Sequence, residues 1–378
     1  MYLRTLHLQQ FRNYRDQTVE FIAPKTILLG DNAQGKSNLL EAVELLATLK
    51  SHRSTRDREL ILEGVNESRI SAFLEKEHSN LDLVINLRFG ARRGITINQQ
   101  PIKRHMDFLG SLNAVQFSSL DLELVRGAPE KRRIWLDTIL MQIEPIYAHI
   151  LQQYNQVLRQ RNALLKRLQH NESRGESGDS SNEELAIWDA QLATAGSRVT
   201  RRRARVLERL APLAQDWHTK ISGRTELFTL NYVPNVPIPE NNPEKVQEAF
   251  LEKIQLRRIP EHRQGTSLVG SHRDDIEFLI NETAAKLYGS QGQQRTLVLA
   301  LKLAELKLIE EVVGEAPLLL LDDVLAELDL HRQNQLLEAI QDRFQTLITT
   351  THLGSFDTDW LHNSQILSVE AGVVIDSI

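Results

Sequence analysis

The residues best equipped for chemistry lie near the amino end. Gly30-Asp31-Asn32-Ala33-Gln34-Gly35-Lys36-Ser37 has the spacing G-x-x-x-x-G-K-S. An apolar run, 26–29, precedes it, and 37–49 follows with Leu39, Leu40, Val43, Leu46 and Leu49 at helical spacing. A strand, a glycine-rich turn and a helix N-terminus together make a phosphate cradle. The glycines let backbone N–H groups turn inward, and the helix end adds partial positive charge. In such a loop Lys36 bridges the β- and γ-phosphates, and the Ser37 hydroxyl sits on Mg²⁺.

A phosphate site of this kind needs a carboxylate for the metal. Residues 316–323 read Ala-Pro-Leu-Leu-Leu-Leu-Asp-Asp. Four leucines in a row fit a buried strand of a parallel sheet. Asp322, at its carboxyl end, would hold Mg²⁺ directly or through water. Asp323 would orient or deprotonate the attacking water. Most of the chain separates Ser37 from Asp322, more than a compact P-loop kinase or small GTPase needs, so an insertion inside one ATPase fold is expected.

Two further pieces lie near this strand. Ser290-Gln291-Gly292-Gln293 opens a long apolar helix that begins at Thr296 and ends near Val313. A hydroxyl and unpaired N–H groups at a helix start can meet an anion, and an ordinary helix cap uses the same residues. Thr349-Thr350-Thr351-His352 ends an apolar strand, where a histidine can sense a terminal phosphate.

The elements that position these groups change along the chain. The first ninety residues are β-rich, with strands expected at 2–8, 18–21, 69–75, 80–88 and 95–98. From about 128 to 221 the composition turns helical and glycine-poor. Ile139, Ile143, Ile146, Ile150, Val157, Leu164 and Leu168 repeat at helical spacing, as do Leu185, Trp188, Leu192, Val199, Val206 and Leu213. Pro145 divides the first run. A polar Ser/Gly-rich stretch, 171–184, separates the two runs and reads as an exposed tip. Two facing apolar seams predict an antiparallel hairpin, its 146–170 segment ~37 Å long at 1.5 Å per residue. After Arg224 the pattern is mixed: a strand at 226–233, a helix at 243–258, then alternating helix and strand.

Composition bounds the function. With 378 residues, 41% hydrophobic and 25% charged, the chain can build a real core. It has no cysteine, which excludes disulfides, thiolate zinc sites and cysteine nucleophiles. The net charge of −5 supplies no global field for nucleic acid, so any DNA site is a local patch. The densest patch is 198–209, six arginines and one glutamate in twelve residues. Arg201, Arg202, Arg203 and Arg205 are its candidate DNA contacts, able to neutralise phosphates without reading sequence. Some of them could instead pair with acids of the arm. Arg53, Arg56 and Arg58 form a second patch. No secretory leader or membrane-length apolar run is visible, and a cytoplasmic protein is expected.

The motif set resembles the RecF family, the recombination-mediator branch of the ABC/SMC-like repair ATPases. The likeness runs over essentially the whole length. It includes Phe11-Arg12-Asn13-Tyr14, the P-loop, 124–133 (Leu-Val-Arg-Gly-Ala-Pro-Glu-Lys-Arg-Arg), 269–275 (Val-Gly-Ser-His-Arg-Asp-Asp), the Leu-Asp-Asp strand and Thr-Thr-His. It implies an α/β fold: an ABC-type P-loop ATPase head with a β-rich lobe and an inserted antiparallel helical arm. The head would comprise 1–128 and 225–378, the arm 129–224. Ser290, Gly292 and Gln293 would be the signature that caps the γ-phosphate of the other subunit in an ATP-dependent homodimer. Ala326-Glu327-Leu328-Asp329 would be the D-loop, Asp323 and His352 catalytic, and Arg12 close to the phosphates. Gln116 is a Q-loop candidate or an ordinary strand residue. The resemblance further implies ATP and Mg²⁺ as cofactors and slow, switch-like hydrolysis. It implies binding to single-stranded or gapped DNA without sequence preference, and RecR and RecO as partners. The role would be recombinase loading in recombinational repair, replication restart and SOS induction. Other readings of a P-loop with a signature are the cytosolic subunit of an ABC transporter, a small-molecule kinase, and a clamp that binds ATP without hydrolysing it.

Overall fold

The computed structural model describes residues 1–172, 180–223, 226–239, 242–340, 343–354, 356 and 358–376. In chain order, β1 (Tyr2–Phe11), β2 (Tyr14–Glu20) and β3 (Lys25–Leu29) lead into α1 (Lys36–Thr48). Then come β4 (Glu67–Glu75), β5 (Asn80–Arg88), β6 (Gly94–Ile97), β7 (Gln100–Pro101) and β8 (Ala114–Ser118). The middle holds α2 (Glu123–Arg126), α3 (Pro129–Ile143), α4 (Ile146–Glu172) and α5 (Ser180–Ser222). It continues through β9 (Phe228–Val233), α6 (Pro243–Gln264), β10 (Asp275–Ile280), β11 (Thr283–Ala284) and α7 (Ala285–Tyr288). The last part is α8 (Gln291–Val313), β12 (Leu318–Asp322), α9 (Leu330–Ile340), β13 (Thr346–Thr350), α10 (Thr358–His362), β14 (Ser364–Glu370) and β15 (Val373–Asp376).

Two compact units result: Met1–Leu122, Asp216–Glu226 and Ser290–Ile378 form the first, Glu123–Gln215 and Leu227–Gly289 the second. The first unit carries two sheets. One has the order β2-β1-β4-β5-β6-β7 and is antiparallel throughout. Its strand β4 alternates inward Ser68, Ile70, Ala72 and Leu74 with outward residues, the period-2 signature of a sheet with one dry face. The other sheet has the order β15-β14-β3-β13-β12-β8. From β14 to β8 its strands run parallel, and β15 adds an antiparallel edge. Leu318–Leu321 of β12 are wholly buried, as the continuous leucine run requires of a strand covered on both faces. Helix α8 is buried almost all round from Leu297 to Ile309. Each such leucine removes enough apolar surface from water to contribute about 1.5–3 kcal/mol.

The second unit is built on helices. Pro145 does separate α3 from α4. The hairpin seam forms where Leu164, Leu165 and Leu168 of α4 meet Leu185 and Trp188 of α5. Of the expected hairpin tip, 173–179 lie outside the described residues.

The grouping differs from the 129–224 arm drawn from sequence, because Leu227–Gly289 join the helical residues. The physical reason is specific. A Cβ on Gly196 of α5 would stand 2.5 Å from the Phe250 ring of α6, so the glycine permits close packing of these helices. Fully buried Glu261 of α6 accepts from Arg161 of α4 at 2.6 Å. Trp135 of α3 meets Phe278 of β10 edge-on at 6.4 Å. Among the described residues no helix is long and apolar enough to cross a membrane.

Candidate nucleotide-binding site

Three adjacent parallel strands, β3, β13 and β12, deliver the site. In register, Leu29 of β3 lies opposite Thr350 of β13, and Thr349 of β13 opposite Asp322 of β12. All three end at the same edge of the sheet. The loop Gly30–Gly35, the turn bearing His352 and the Asp322-Asp323 pair therefore leave from one edge, where parallel α/β sheets bind ligands.

The loop geometry explains its glycines. A Cβ on Gly30 would lie 2.4 Å from the Val369 carbonyl oxygen of β14, so only glycine fits. Gly35 has φ +121 and faces the Asn13 side chain, and Ala33 also takes a left-handed conformation. The block after β1 clamps this turn. Asn13 Nδ2 donates to Gln34 O at 2.8 Å, the Tyr14 hydroxyl to Gly35 O at 3.0 Å, and Asn38 Nδ2 to Asn13 Oδ1 at 2.8 Å. Burial pushes the Tyr14 phenol far up, so it stays a donor. Sequence spacing gave Asn13 and Tyr14 no role; only their place in the family block marked them.

Lys36 is buried, and its ammonium donates to Gly30 O at 2.7 Å and Asp31 O at 2.8 Å. Two of its three N–H donors thus fold back on the loop and hold the charge at the helix start. Arg12 is spoken for by a residue that sequence reasoning missed. Glu41 of α1, completely buried, accepts Nε at 2.8 Å and Nη2 at 2.7 Å. Arg12 Nη1 donates to Glu59 O at 2.7 Å. The available signal was an acid on the apolar face of α1, between Leu40 and Val43, where an unpaired carboxylate is not tolerated.

At the strand ends, Ser37 Oγ donates to Asp322 Oδ1 at 2.6 Å. Thr349 Oγ1 donates to the same oxygen at 2.9 Å and accepts the Asp323 N–H at 2.8 Å. Asp323 takes φ +53, a conformation that aspartate tolerates better than most residues. Its carboxylate makes no hydrogen bond or ion pair among the described residues. A hydroxyl and a carboxylate with no cation partner among those residues form an all-oxygen set that fits Mg²⁺, which takes few protein ligands and keeps waters and phosphate oxygens.

Two flanking histidines differ. His352 is exposed, its Nδ1 3.2 Å from Thr351 Oγ1. His52 sits between Glu44, 2.7 Å from its Nδ1, and Gln116 Nε2, 3.3 Å from its Nε2. Burial pulls its pKa down, but Glu44, with Asp322 and Glu41 behind it, raises it overall. Gln116 lies on β8 beside β12, paired in register with Leu320.

The residues expected to form the signature stand elsewhere in the first unit. Ser290 caps α8, its hydroxyl accepting Gln293 N–H at 3.2 Å, while Gln293 Oε1 accepts Ser290 N–H at 2.8 Å. This is a complete capping box. No hydrogen bond or ion pair among the described residues joins Ser290, Gly292 or Gln293 to the P-loop.

The arginine patch needs a correction. Arg203 cannot meet DNA, because it is 3% exposed and grips Asp137 through Nε at 2.9 Å and Nη2 at 3.0 Å. Its Nη1 reaches Asp274 Oδ2 at 3.1 Å. The helical period puts position 203 on the buried face of α5 with Val199 and Val206. Arg202 is half-buried and pairs with Glu144 at 2.8 Å, whereas Arg201 is partly exposed and Arg205 exposed. Burial, then Arg205 and Arg202, lower the pKa of Arg201, the mark of like charges crowded together.

Comparison with known proteins agrees with this layout. The profile of the RecF/RecN/SMC N terminal domain family matches residues 2–373. A DNA replication and repair protein RecF of Nostoc punctiforme is 67% identical over 378 residues, covering 100% of both chains. That of Gloeothece citriformis is 65% identical, again over 100% of both. Among solved structures, the recombination mediator protein RecF of the RecFOR pathway bound to ATP superposes with a TM-score of 0.90 at 31% identity, covering 100% of this chain and 98% of the other. An Smc head domain with an extended coiled coil from Pyrococcus furiosus reaches 0.53 at 17% identity and shares the fold alone, covering 100% of this chain and 96% of the other. The α/β fold is therefore that of an ABC-type ATPase head with an inserted helical arm.

Proposed function

The chain belongs to the RecF branch of the RecF/RecN/SMC N terminal domain family, and from that premise we propose that it is a cytoplasmic ATP-dependent DNA-binding repair protein. ATP joins two copies into a homodimer on single-stranded or gapped DNA, and slow hydrolysis releases it. The observation that carries this is the pairing of a carboxylate-and-hydroxyl site at the P-loop with a signature turn that no hydrogen bond or ion pair among the described residues joins to it. A second copy would supply the signature to each nucleotide.

Lys36 and the loop N–H groups 30–36 bind the phosphates, while Ser37 and Asp322 hold Mg²⁺, which supplies charge neutralisation when bound. Asp323 accepts the proton of the attacking water as its oxygen bonds to the γ-phosphorus and the bond to the β–γ bridging oxygen breaks. ADP and inorganic phosphate leave. His352 contacts the γ-phosphate, and Ser290, Gly292 and Gln293 cap it from the other copy. Arg201 and Arg205, with the arginines at 53, 56 and 58, contact DNA phosphates, and RecR and RecO are its partners in loading recombinase at gaps. Relatives that are repair proteins favour this over a transporter subunit or a kinase.

The test is fluorescence anisotropy of a labelled gapped duplex, with ATP–Mg²⁺ and without nucleotide. Binding tightens with ATP and falls steeply with salt. Lys36→Ala removes the ATP effect, and Asp323→Asn prolongs it. DNA binding indifferent to ATP would sink the proposal.

A further inference from the structure

The signature turn is held by two residues that lie outside the signature motif. Gln293 faces two partners of opposite chemistry. Its carboxamide oxygen accepts the Ser290 N–H at 2.8 Å, and its nitrogen donates to Glu226 Oε1 at 2.9 Å. A backbone N–H only donates and a carboxylate only accepts, so the amide has one orientation. Glu226 is itself confined: its other oxygen lies 3.5 Å from Nε2 of His218, a completely buried ring, and the carboxylate is 18% exposed.

Arg332, on α9, holds the other side. Nη2 donates to Gly292 O at 3.0 Å and Nε to Thr296 Oγ1 at 2.9 Å. Nη1 pairs with Asp329 at the end of the D-loop. A Cβ on Gly292 would stand 3.3 Å from Arg332 Nη2, so glycine leaves room for the guanidinium against its own carbonyl. One planar fork thus joins the signature turn to the D-loop. A lysine lacks this fork: all its donors sit on one nitrogen and cannot reach Gly292 O, Thr296 Oγ1 and Asp329 in one plane. Glu226, Gln293, Thr296 and Arg332 line one cleft of about 280 Å³.

We propose that Glu226 and Arg332 are positioning residues for the signature: Glu226 sets the Gln293 carboxamide, and Arg332 locks the signature turn to Asp329, so that both meet a second copy's nucleotide as one surface. The inference rests on the reading that the signature acts on ATP held by another copy. Neither residue touches that nucleotide. Each acts by removing freedom from a group that does, so that association does not have to order it.

The test is ATP–Mg²⁺-dependent self-association of the full chain by analytical ultracentrifugation, with the unfolding midpoint as the fold control. Gln293→Ala and Glu226→Ala each weaken association about tenfold, and the double variant is no weaker than either single one, as expected when two residues act as a unit. Glu226→Gln keeps an acceptor and recovers most of the loss. Arg332→Lys behaves like Arg332→Ala. If Gln293→Ala weakens association but Glu226→Ala multiplies that loss, the Glu226 role is wrong while the trans reading stands. If Gln293→Ala has no effect, the trans reading fails and this inference with it. Wild-type association of Glu226→Ala or Arg332→Lys overturns the corresponding half.

Discussion

Asp322 and Asp274 are two carboxylates with opposite surroundings. Asp322, half-buried at the end of β12, accepts from two neutral hydroxyls, Ser37 at 2.6 Å and Thr349 at 2.9 Å. No lysine or arginine pairs with it among the described residues. Asp274, 1% exposed, is saturated: Arg203 at 3.1 Å, the Tyr232 hydroxyl at 2.5 Å and the Asn235 N–H at 2.8 Å. A carboxylate that the protein leaves without a cation keeps its charge for a ligand. One that the protein neutralises is architecture. The same contrast separates Lys36, folded onto two carbonyls, from Arg203, locked between Asp137 and Asp274.

The largest effect should come from breaking the saturated cluster. Arg203→Leu strands two buried carboxylates and should lower unfolding free energy by about 3–5 kcal/mol. Asp322→Asn, measured without nucleotide or metal, removes an unneutralised charge and keeps an acceptor for Ser37 and Thr349. It should change stability by less than about 1 kcal/mol. Urea unfolding at neutral pH checks both. Equal losses would erase the distinction drawn between the clusters.

A smaller effect is written in pH. Burial lowers the His272 pKa to about 4, aided by Arg273, Arg133 and Arg161 and opposed by the Ser267 carbonyl. In the neutral ring Nε2 donates to Ser267 O at 3.2 Å and Nδ1 accepts the Tyr154 hydroxyl at 2.7 Å. Because the folded pKa lies below the unfolded ~6.5, the unfolded chain binds the proton first as pH falls. Stability is intact above about 6.5 and declines as pH falls toward 4, by about 3 kcal/mol. Asp274, whose pKa burial raises against Arg203, pulls the other way at the acid end. Unfolding free energies from pH 7 to 4 should slope for the parent chain and flatten for His272→Gln. An unchanged slope would remove His272 from the account.

How much of this was readable in advance depends on how local the information is. The strand, turn and helix around Gly30–Ser37 were legible because spacing alone encodes the backbone path. The leucine strand ending at Asp322 was legible because burial on both faces leaves no alternation. Arg203 was legible only in part: it falls on the seam face of α5 with Val199 and Val206, but a run of arginines reads as a solvated face, and its partners Asp137 and Asp274 come from α3 and the turn before β10. The same blindness hid α6 and β9–β11 from the helical unit, since Glu261 meets Arg161 only in the fold. Glu41 left a trace, an acid on a buried helical face, but its partner Arg12 lies on another element.

The exposed arginines supply the smallest test and the most discriminating one for the DNA path. Arg205 is exposed, so Arg205→Ala should move stability by less than about 0.5 kcal/mol. If it neutralises a DNA phosphate, the substitution weakens binding uniformly across sequences and lowers the salt slope by about one. Arg53, 40% exposed, donates to Asn38 at 2.9 Å and stands 3.9 Å from Glu41, so it joins the basic loop after α1 to the P-loop helix. Anisotropy titrations of a gapped duplex at several salt concentrations separate the two patches. A slope lowered by Arg205→Ala and kept by Arg53→Ala puts DNA on the α5 face. The reverse puts it over the loop beside the nucleotide, and the arginine run of α5 would then serve chiefly to bury Arg203.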